Sequence, residues 1–122
     1  MSRSLDREEV FKGVFSSIAL GGKKDFTEIN QSSKKFVINY LASILSLQEE
    51  INGLLSNKLY NWDLDRIGLI ERAILMVAVY EIKWCEDIDD KVAINEAIEL
   101  AKKYGDEAAP SFVNGVLATI VN

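Results

Sequence analysis

The chain has 122 residues, of which 48% are hydrophobic and 27% charged, and its net charge of −5 fits one globular domain with its own core. Its longest apolar run, Ala73 to Tyr80, is too short for a membrane span, and its first residues lack the hydrophobic segment of a secretory signal. The absence of histidine excludes Ser-His and Cys-His nucleophiles, and a single cysteine excludes an internal disulfide. Because the sequence has no signal segment, no membrane span and only one cysteine, we expect a cytoplasmic protein with no membrane contact.

The first predicted element is a helix from Leu5 to Leu20, which Ser4 caps and Gly21-Gly22 ends. Its apolar residues recur at the helical period and form one stripe. The stripe consists of Val10, Phe11, Val14, Phe15 and Ile18. Phe15 lies at the edge of this stripe, beside Lys12.

Two further helices are predicted before residue 60, and no segment alternates as a strand would. The polar stretch GGKKDFTEINQSS predicts a loop, after which the second helix spans Lys34 to Leu45. A capping-box pattern, Ser46-Leu47-Gln48-Glu49, predicts that a third helix restarts there or runs on from the second. The stretch NKLYNWDLD then predicts a connector anchored by Trp62.

The central element is predicted from Leu69 to Trp84, because this stretch is apolar nearly all round and is therefore covered on most of its sides. The acidic turn EDIDD follows and predicts a cap for the next helix, which spans Lys91 to Gly105. Within that helix Glu99 and Lys103 are spaced as a favourable ion pair.

Several polar residues of this half have a structural interpretation. Glu81 and Asn95 interrupt packed helices and predict hydrogen bonds between helices rather than chemistry. Cys85 has neither a CxxC partner nor a nearby metal ligand, and we expect it to be inert. The acidic run from Asp87 departs from the calcium-loop pattern because it lacks the required glycine and glutamate, so no metal site is predicted.

The last element is predicted to be a helix with Pro110 in its first position. Asn114-Gly115 normally signals a turn, but the apolar residues around it sort onto one helical arc. The opposite arc consists of Asn114, Gly115, Ala118 and Thr119. Gly115 costs roughly 1 kcal/mol against alanine in a helix, and its place off the core face predicts close contact with another helix or with a ligand's backbone.

The charge is unevenly distributed along the chain. Residues 1–35 carry a net charge of +2, whereas the remainder carries −7. A nucleic-acid site is therefore expected to use the N-terminal third, and the acidic remainder suits a basic partner.

From WDLDRIGLIERAILMVAVYEIKW through DIDDKVAINEAIELAKKYGDEAAPSFVNGVL, residues 62–117, the chain closely resembles the NusB family of bacterial transcription antitermination factors. The order and spacing of VAINEAIELAKKYG and FVNGVL carry the resemblance. The resemblance implies an all-α fold of six to seven helices in two packed bundles. We expect one domain over residues 1–122, with an N-terminal helical subdomain over 1–59 and a C-terminal one over 60–122.

The resemblance also implies a function. Members of this family bind the boxA segment of leader RNA together with NusE, a ribosomal small-subunit protein, and help RNA polymerase to read through terminators in ribosomal RNA operons. It implies a binding protein, not an enzyme, with no cofactor. The RNA-binding residues that it implies are Arg3, Arg7, Lys12, Phe15, Phe112 and Asn114. Glu71 and Arg72 are the residues implied to contact the protein partner.

The chain departs from the family pattern in its cations. Members usually carry an arginine-rich segment before the first helix, where this chain has only Arg3 and Arg7, interleaved with acids. Met76 and Ser111 stand where basic residues are often found. Fewer phosphate contacts predict weaker RNA binding, with a salt dependence that is shallower by about 0.7 log units per contact.

Three hypotheses therefore stay open. The first is the RNA- and protein-binding adaptor, and the second is a protein-interaction module with weak or no direct RNA contact that forms a homodimer. The third is an enzyme, or an accessory domain of an RNA methyltransferase, because similar domains occur fused to such enzymes. At the level of single residues, Phe15 and Phe112 are also explained as core packing, and Lys12 as a solvated charge.

Overall fold

A computed structural model describes residues 3–21, 35–59 and 67–121, and these residues form α-helices without any strand. The six helices are α1 (Arg3–Ala19), α2 (Lys35–Ser46), α3 (Gln48–Lys58), α4 (Leu69–Trp84), α5 (Asp90–Tyr104) and α6 (Ala109–Val121). The all-α prediction is confirmed. In the described part of the chain, every helix is too short or too polar to cross a bilayer.

The ends of α1 differ in part from the prediction. The helix already begins at Arg3, so Ser4 lies inside it and does not cap it. At the other end Gly21 has a φ of 82°, a left-handed conformation that glycine adopts at little cost, and its N–H donates to the Ile18 carbonyl at 3.1 Å. The predicted stop at Gly21 is confirmed, while Gly22 and the rest of the predicted loop lie outside the described residues.

The break between α2 and α3 has no capping box. The Ser46 hydroxyl donates to the Ser43 carbonyl at 2.8 Å, because Ser46 still belongs to the last turn of α2. Leu47 occupies the cap position of α3 and offers no side-chain acceptor. The prediction that a third helix follows the second is correct, but the prediction that Ser46 caps it is wrong. Trp62 and the predicted connector lie mostly outside the described residues.

The central helix α4 has the predicted bounds and is buried along most of its length. Its buried residues are Ala73, Ile74, Leu75, Met76, Val77, Ala78, Val79 and Glu81. The helices α1, α5 and α6 pack against it, so that α1 of the predicted N-terminal subdomain contacts α4 of the predicted C-terminal one. Burial of this apolar surface provides the main stabilisation of the fold.

The last two helices follow the predicted signals closely. Asp89 caps α5 by accepting a hydrogen bond from the Lys91 N–H at 3.0 Å, which confirms the role of the acidic turn. Gly105 ends α5, and Pro110 is the second residue of α6 rather than the first. The two predicted arcs of α6 are confirmed. The inner arc contains the buried Val113, Val116, Leu117 and Ile120, and the outer arc contains the exposed Asn114, Gly115, Ala118 and Thr119.

A buried ion pair joins α1 to the last turn of α4. The Nε of Arg7 donates to both carboxylate oxygens of Glu81, at 3.0 and 2.8 Å, and its Nη1 donates to Glu96 Oε1 on α5 at 3.2 Å. The Tyr40 hydroxyl on α2 donates to Glu81 Oε2 at 2.6 Å. Glu81 therefore makes interhelical hydrogen bonds as predicted, whereas the same prediction for Asn95 is wrong, since that side chain is exposed.

Tyr40 remains a hydrogen-bond donor in this site. Burial and then the adjacent Glu81 carboxylate raise the pKa of the Tyr40 hydroxyl well above its usual value. Cys85 lies beside it, with Sγ at 3.9 Å from the Tyr40 hydroxyl, and burial raises the pKa of the Cys85 thiol. A less acidic thiol forms less of the reactive thiolate, which agrees with the expectation that Cys85 is inert.

We predict that Arg7→Met lowers the free energy of unfolding by about 3–5 kcal/mol, because it leaves the Glu81 carboxylate buried without its cation. The double variant Arg7→Met/Glu81→Leu is expected to recover most of this loss, since it removes both charges. Urea denaturation measures the effect. Lys83→Met, which removes an exposed cation of α4, serves as the control and is expected to stay within about 0.5 kcal/mol of the natural chain. Equal losses in Arg7→Met and Lys83→Met would contradict a role for the pair.

Candidate nucleic-acid and protein interfaces

The exposed side of α1 combines a cation with an aromatic ring. Lys12 is exposed, and Phe15 is half-buried one turn further along the helix. The Phe15 ring packs against the core and lies 6.5 Å from the ring of Phe11, measured between centroids. Phe15 thus contributes to packing and still presents part of its ring to solvent.

The two arginines expected to bind RNA have different positions. The Arg7 side chain is buried, with the residue only 7% exposed, and is bonded to Glu81 and Glu96, so the guanidinium is not available to a phosphate. We therefore correct its predicted role from RNA contact to helix docking. Arg3 is the first residue of α1, and its side chain lies outside the described structure.

Four side chains meet where α1 packs against the end of α5, and we call them the α1–α5 cluster: Glu8, Lys12, Lys103 and Tyr104. Lys103 Nζ donates to Glu8 Oε1 at 2.6 Å, and the Tyr104 hydroxyl donates to the same oxygen. The Nζ atoms of Lys12 and Lys103 lie 6.0 and 5.5 Å from the centroid of the Tyr104 ring, within the range of cation–π contact. The cluster therefore places two lysines around one aromatic ring.

The ion pair predicted between Glu99 and Lys103 is wrong. Glu99 pairs with Lys102 at 3.2 Å, while Lys103 extends to α1. The hydrogen bonds from Lys103 and Tyr104 hold the pKa of the Glu8 carboxyl below its usual range. Sequence reasoning missed Glu8, Lys103 and Tyr104 as a group because their proximity depends on the contact between α1 and α5.

The start of α6 presents the second group of candidate residues. Phe112 is half-buried and packs against the core, and Asn114 is exposed. Gly115 is also exposed, and a Cβ at this position would meet no atom within 4 Å. The prediction that Gly115 lies off the core face is confirmed, and the described residues leave the space beside it open.

A groove of about 330 Å³ runs between the start of α4 and the start of α6. It is lined by Ile67, Gly68, Glu71, Asp106, Ala108, Ala109 and Phe112. The groove brings Glu71, expected to contact a protein, together with Phe112, expected to contact RNA. Its floor is largely apolar and it carries two carboxylates, of which Asp106 accepts a hydrogen bond from the Ala108 N–H at 3.0 Å.

Two glycines leave space at this groove, Gly68 beside the Glu71 carboxylate and Gly105 beside Ala109. A Cβ at Gly68 would collide with Glu71 Oε2, and a Cβ at Gly105 would lie 3.7 Å from Glu71 Oε1 and would collide with Ala109 at only 2.5 Å. Within residues 3–21, 35–59 and 67–121, no cation pairs with Glu71. Next to it, Arg72 is half-buried, and its Nε has no hydrogen-bond partner among the described residues.

Two positions where family members often have a basic residue, Met76 and Ser111 in this chain, differ in their exposure to solvent. Ser111 is exposed, so a cation is indeed absent from the surface there. Met76 is 0% exposed and lies in the core, so it does not represent a lost surface cation in this chain. In the described ranges, no group of three or more Cys, Asp or Glu side chains is arranged to hold a metal ion.

The fold and these surfaces define the class of protein. It is an all-α protein in which several helices pack around one buried helix and present charged and aromatic side chains where they meet. The chain belongs to the NusB family, whose family model matches residues 3–122. This confirms the resemblance seen in the sequence.

Individual relatives agree with this assignment. The chain is 39% identical over 124 residues to the transcription antitermination protein NusB of Bacillus subtilis, a match that covers 98% of this chain and 95% of the relative. Its structure is similar to that of T. maritima NusB, with a TM-score of 0.89, 32% identity and coverage of 99% of this chain and 91% of the other. It is also similar, with a TM-score of 0.83, 25% identity and coverage of 99% and 98%, to a chain in a crystal structure of the antitermination factors NusB and NusE in complex with double-stranded RNA.

The Glu8 interactions predict a specific dependence of stability on pH. The pKa of the Glu8 carboxyl is lower in the folded chain than its ordinary value of 4.5. The hydrogen bonds of Glu8 therefore make their full contribution to the unfolding free energy above about pH 4.5. This contribution is lost as the pH falls through the lower pKa that Glu8 has in the folded chain. We expect the difference in unfolding free energy between the natural chain and Glu8→Gln to be constant near neutral pH and to shrink below about pH 4.5. Urea denaturation across a pH series checks this, and a difference that stayed constant into strong acid would contradict it.

Proposed function

We propose that this chain is a transcription antitermination factor that binds boxA-type leader RNA together with the ribosomal protein NusE. In this role it supports the transcription of ribosomal RNA operons within the antitermination complex of RNA polymerase. The observation that carries the proposal is the similarity, over almost the whole chain, to a protein that was crystallised with NusE and RNA. The proposed activity is binding in the cytoplasm, with no catalytic step.

The proposed RNA surface uses Lys12, Phe15, Phe112 and Asn114, with Arg3 as a further cation. Phe15 and Phe112 each leave part of a ring accessible at the edge of the core. Stacking of an unpaired base on such a ring contributes about 1–3 kcal/mol. Lys12 supplies a nearby charge for phosphate. Both aromatic residues also pack inside the protein, so the packing interpretation and the binding interpretation apply to the same side chains.

The proposed protein surface is the groove that contains Glu71, with Arg72 beside it. Glu71 has no cation to pair with in the described residues, and Asp106 adds a second carboxylate to the same groove. Ribosomal proteins are usually basic, so an acidic groove with an apolar floor complements such a partner in charge. Phe112 lies in this groove and also belongs to the proposed RNA surface, so the two proposed partners would bind next to each other.

The proposed mechanism combines surfaces that are weak when taken singly. A partner bound in the groove presents the RNA at high effective concentration to the aromatic and basic residues nearby. The small number of accessible cations on α1, reduced further by the burial of Arg7, makes this assistance more important for the present chain.

A titration of fluorescent boxA-type RNA tests the proposal. We expect NusE to tighten RNA binding, and we expect the affinity to fall as the salt concentration rises. Glu71→Gln is expected to reduce the gain due to NusE without changing the affinity for RNA alone. Glu49→Gln, an exposed acid of α3, removes the same charge outside the groove and is the control. Affinity that is indifferent to both NusE and salt would overturn the proposed function.

Gly115 allows a separate test of the outer arc of α6. Gly115→Ala is expected to stabilise the chain by about 0.5–1 kcal/mol, because alanine favours the helix and its methyl group meets open space. The same change is expected to weaken RNA or NusE binding, because the methyl group occupies the approach to the arc. Thermal unfolding and the RNA titration measure the two effects.

Gly53→Ala is the matched control for this prediction. Gly53 lies in α3 and is exposed, and it likewise has no atom within 4 Å of the position that an alanine methyl group would occupy. The substitution is expected to stabilise the chain to a similar extent and to leave binding unchanged. Binding that is equally unaffected in both variants would show that the outer arc of α6 makes no contact.

The burial of Arg7 favours a second candidate function, a protein-interaction module with weak or no direct RNA binding that forms a homodimer. Light scattering after size exclusion, with and without NusE, separates this candidate from the first. A stable dimer that covers Phe15 and Phe112 would leave no surface for RNA.

A further inference from the structure

We infer that Lys103, at the end of α5, is a second phosphate-contacting cation of the RNA surface that Lys12 and Phe15 form on α1. The inference rests on the proposed function and adds a residue to it. Neither the spacing of the charges along the chain nor the family motif indicates this residue. It is indicated by the geometry of the α1–α5 cluster.

Lys103 and Lys12 lie beside the same aromatic ring. Lys12 and Lys103 come from different helices, and their Nζ atoms both lie within 6.0 Å of the centroid of one ring, that of Tyr104. The ring of Phe11 packs against Tyr104 with 5.1 Å between centroids, and Phe11 in turn contacts Phe15. Lys103 thus lies beside the same partly exposed ring as Lys12, the proposed phosphate contact of α1, although it lies on another helix.

The charge of Lys103 is only partly used inside the protein. The Glu8 side chain is 14% exposed and accepts hydrogen bonds from two donors, whereas the Lys103 side chain is 61% exposed. A lysine ammonium has three protons to donate, and the bond to Glu8 uses one of them. The α1–α5 cluster contains two lysines and one carboxylate, so it is net positive in a chain whose overall charge is −5.

The side chains of the α1–α5 cluster suit a nucleic acid better than a basic protein. A pair of ammonium groups beside a partly exposed aromatic ring suits a phosphate backbone with unpaired bases. The proposed groove for the basic protein has the opposite charge, so the α1–α5 cluster does not suit that partner. A small cleft beside Lys103 is lined by Arg7 and by three acids, Glu8, Glu96 and Glu99, but not by Tyr104. Because its carboxylates disfavour phosphate, the inferred ligand contacts Lys103 beside the Tyr104 ring.

Near the surface of α1, the inferred role of Lys103 replaces a cation that Arg7 does not provide. Arg7 is withdrawn from the surface of α1 because it neutralises Glu81. Lys103 supplies a positive charge to the same region from α5. The hydrogen bond to Glu8 also raises the pKa of the Lys103 ammonium, so Lys103 keeps its charge while it is bonded to Glu8.

The test compares two lysines that are adjacent in α5. Lys103→Gln and Lys102→Gln each remove one charge from a similarly exposed side chain, 61% and 63% exposed, but Lys102 pairs with Glu99 of its own helix and lies outside the α1–α5 cluster. Binding of fluorescent boxA-type RNA is measured over a series of salt concentrations. We expect Lys103→Gln to weaken binding and to reduce the slope of log K against log salt by about 0.7, and we expect Lys102→Gln to leave the slope unchanged.

Two further variants separate a phosphate contact from a structural effect. Lys103→Arg retains the charge and is expected to retain the slope. Glu8→Gln removes the ion pair with Lys103 but leaves both ammonium groups in place, so RNA binding is expected to be maintained. Thermal unfolding of each variant checks the fold.

The outcomes distinguish this inference from the proposed function. If the natural chain binds RNA and Lys103→Gln behaves like Lys102→Gln, the role of Lys103 is overturned and the proposed function stands. Equal losses of RNA affinity in Lys103→Gln and Glu8→Gln would also overturn it, because the ion pair and not the cation would then be responsible. If the natural chain does not bind RNA at any salt concentration, with or without NusE, the proposed function itself fails.

Discussion

The carboxylate of Glu81 lies on the central helix where water does not reach it, and the surrounding helices are arranged to neutralise it. Arg7 of α1 supplies the charge and Tyr40 of α2 supplies a hydrogen bond. A buried ion of this kind is costly unless it is paired. Together with the buried apolar residues of α1, that pairing holds α1 on α4, and with it the candidate residues that α1 carries.

This arrangement links stability to the proposed function through geometry. Once Arg7 is anchored, Lys12 and Phe15 lie on the outer side of α1, and Glu8 is placed within reach of Lys103 and Tyr104. The acidic groove at the starts of α4 and α6 forms separately, from Glu71, Asp106 and the residues between them. The chain thus separates a positive cluster from a negative groove despite its modest net charge, which suits two partners of opposite charge.

The periodic parts of the fold were predictable from the sequence because they depend on local patterns. The bounds of α4 follow from an apolar run that ends at Trp84, the Asp89 cap from an acidic turn, and the two arcs of α6 from the spacing around Gly115. Burial of the apolar side chains then determines which face of each helix points to the core, and no contact with a distant residue has to be known. The candidate residues on the faces of α1, α4 and α6 rest instead on the family resemblance, and their roles remain predictions.

Interactions between distant residues were not predictable in this way. Arg7 has the local context of a surface cation, yet its partner lies 74 residues further along the chain. Lys103 has an attractive partner one turn away in Glu99, but it bonds to Glu8 because α1 brings a less exposed carboxylate within reach. The spacing of charged residues along the chain shows which ion pairs could form within a helix. The packing of the helices determines which ion pairs do form.

The glycines at 68 and 105 have a consequence for how this surface can diverge. Both leave out a methyl group that would otherwise press on Glu71 or on the first turn of α6. A single added carbon at either place would tilt the carboxylate or displace the neighbouring helix while every charge stayed the same. A relative with a larger residue at either place would therefore carry the same set of charges on a groove of different shape.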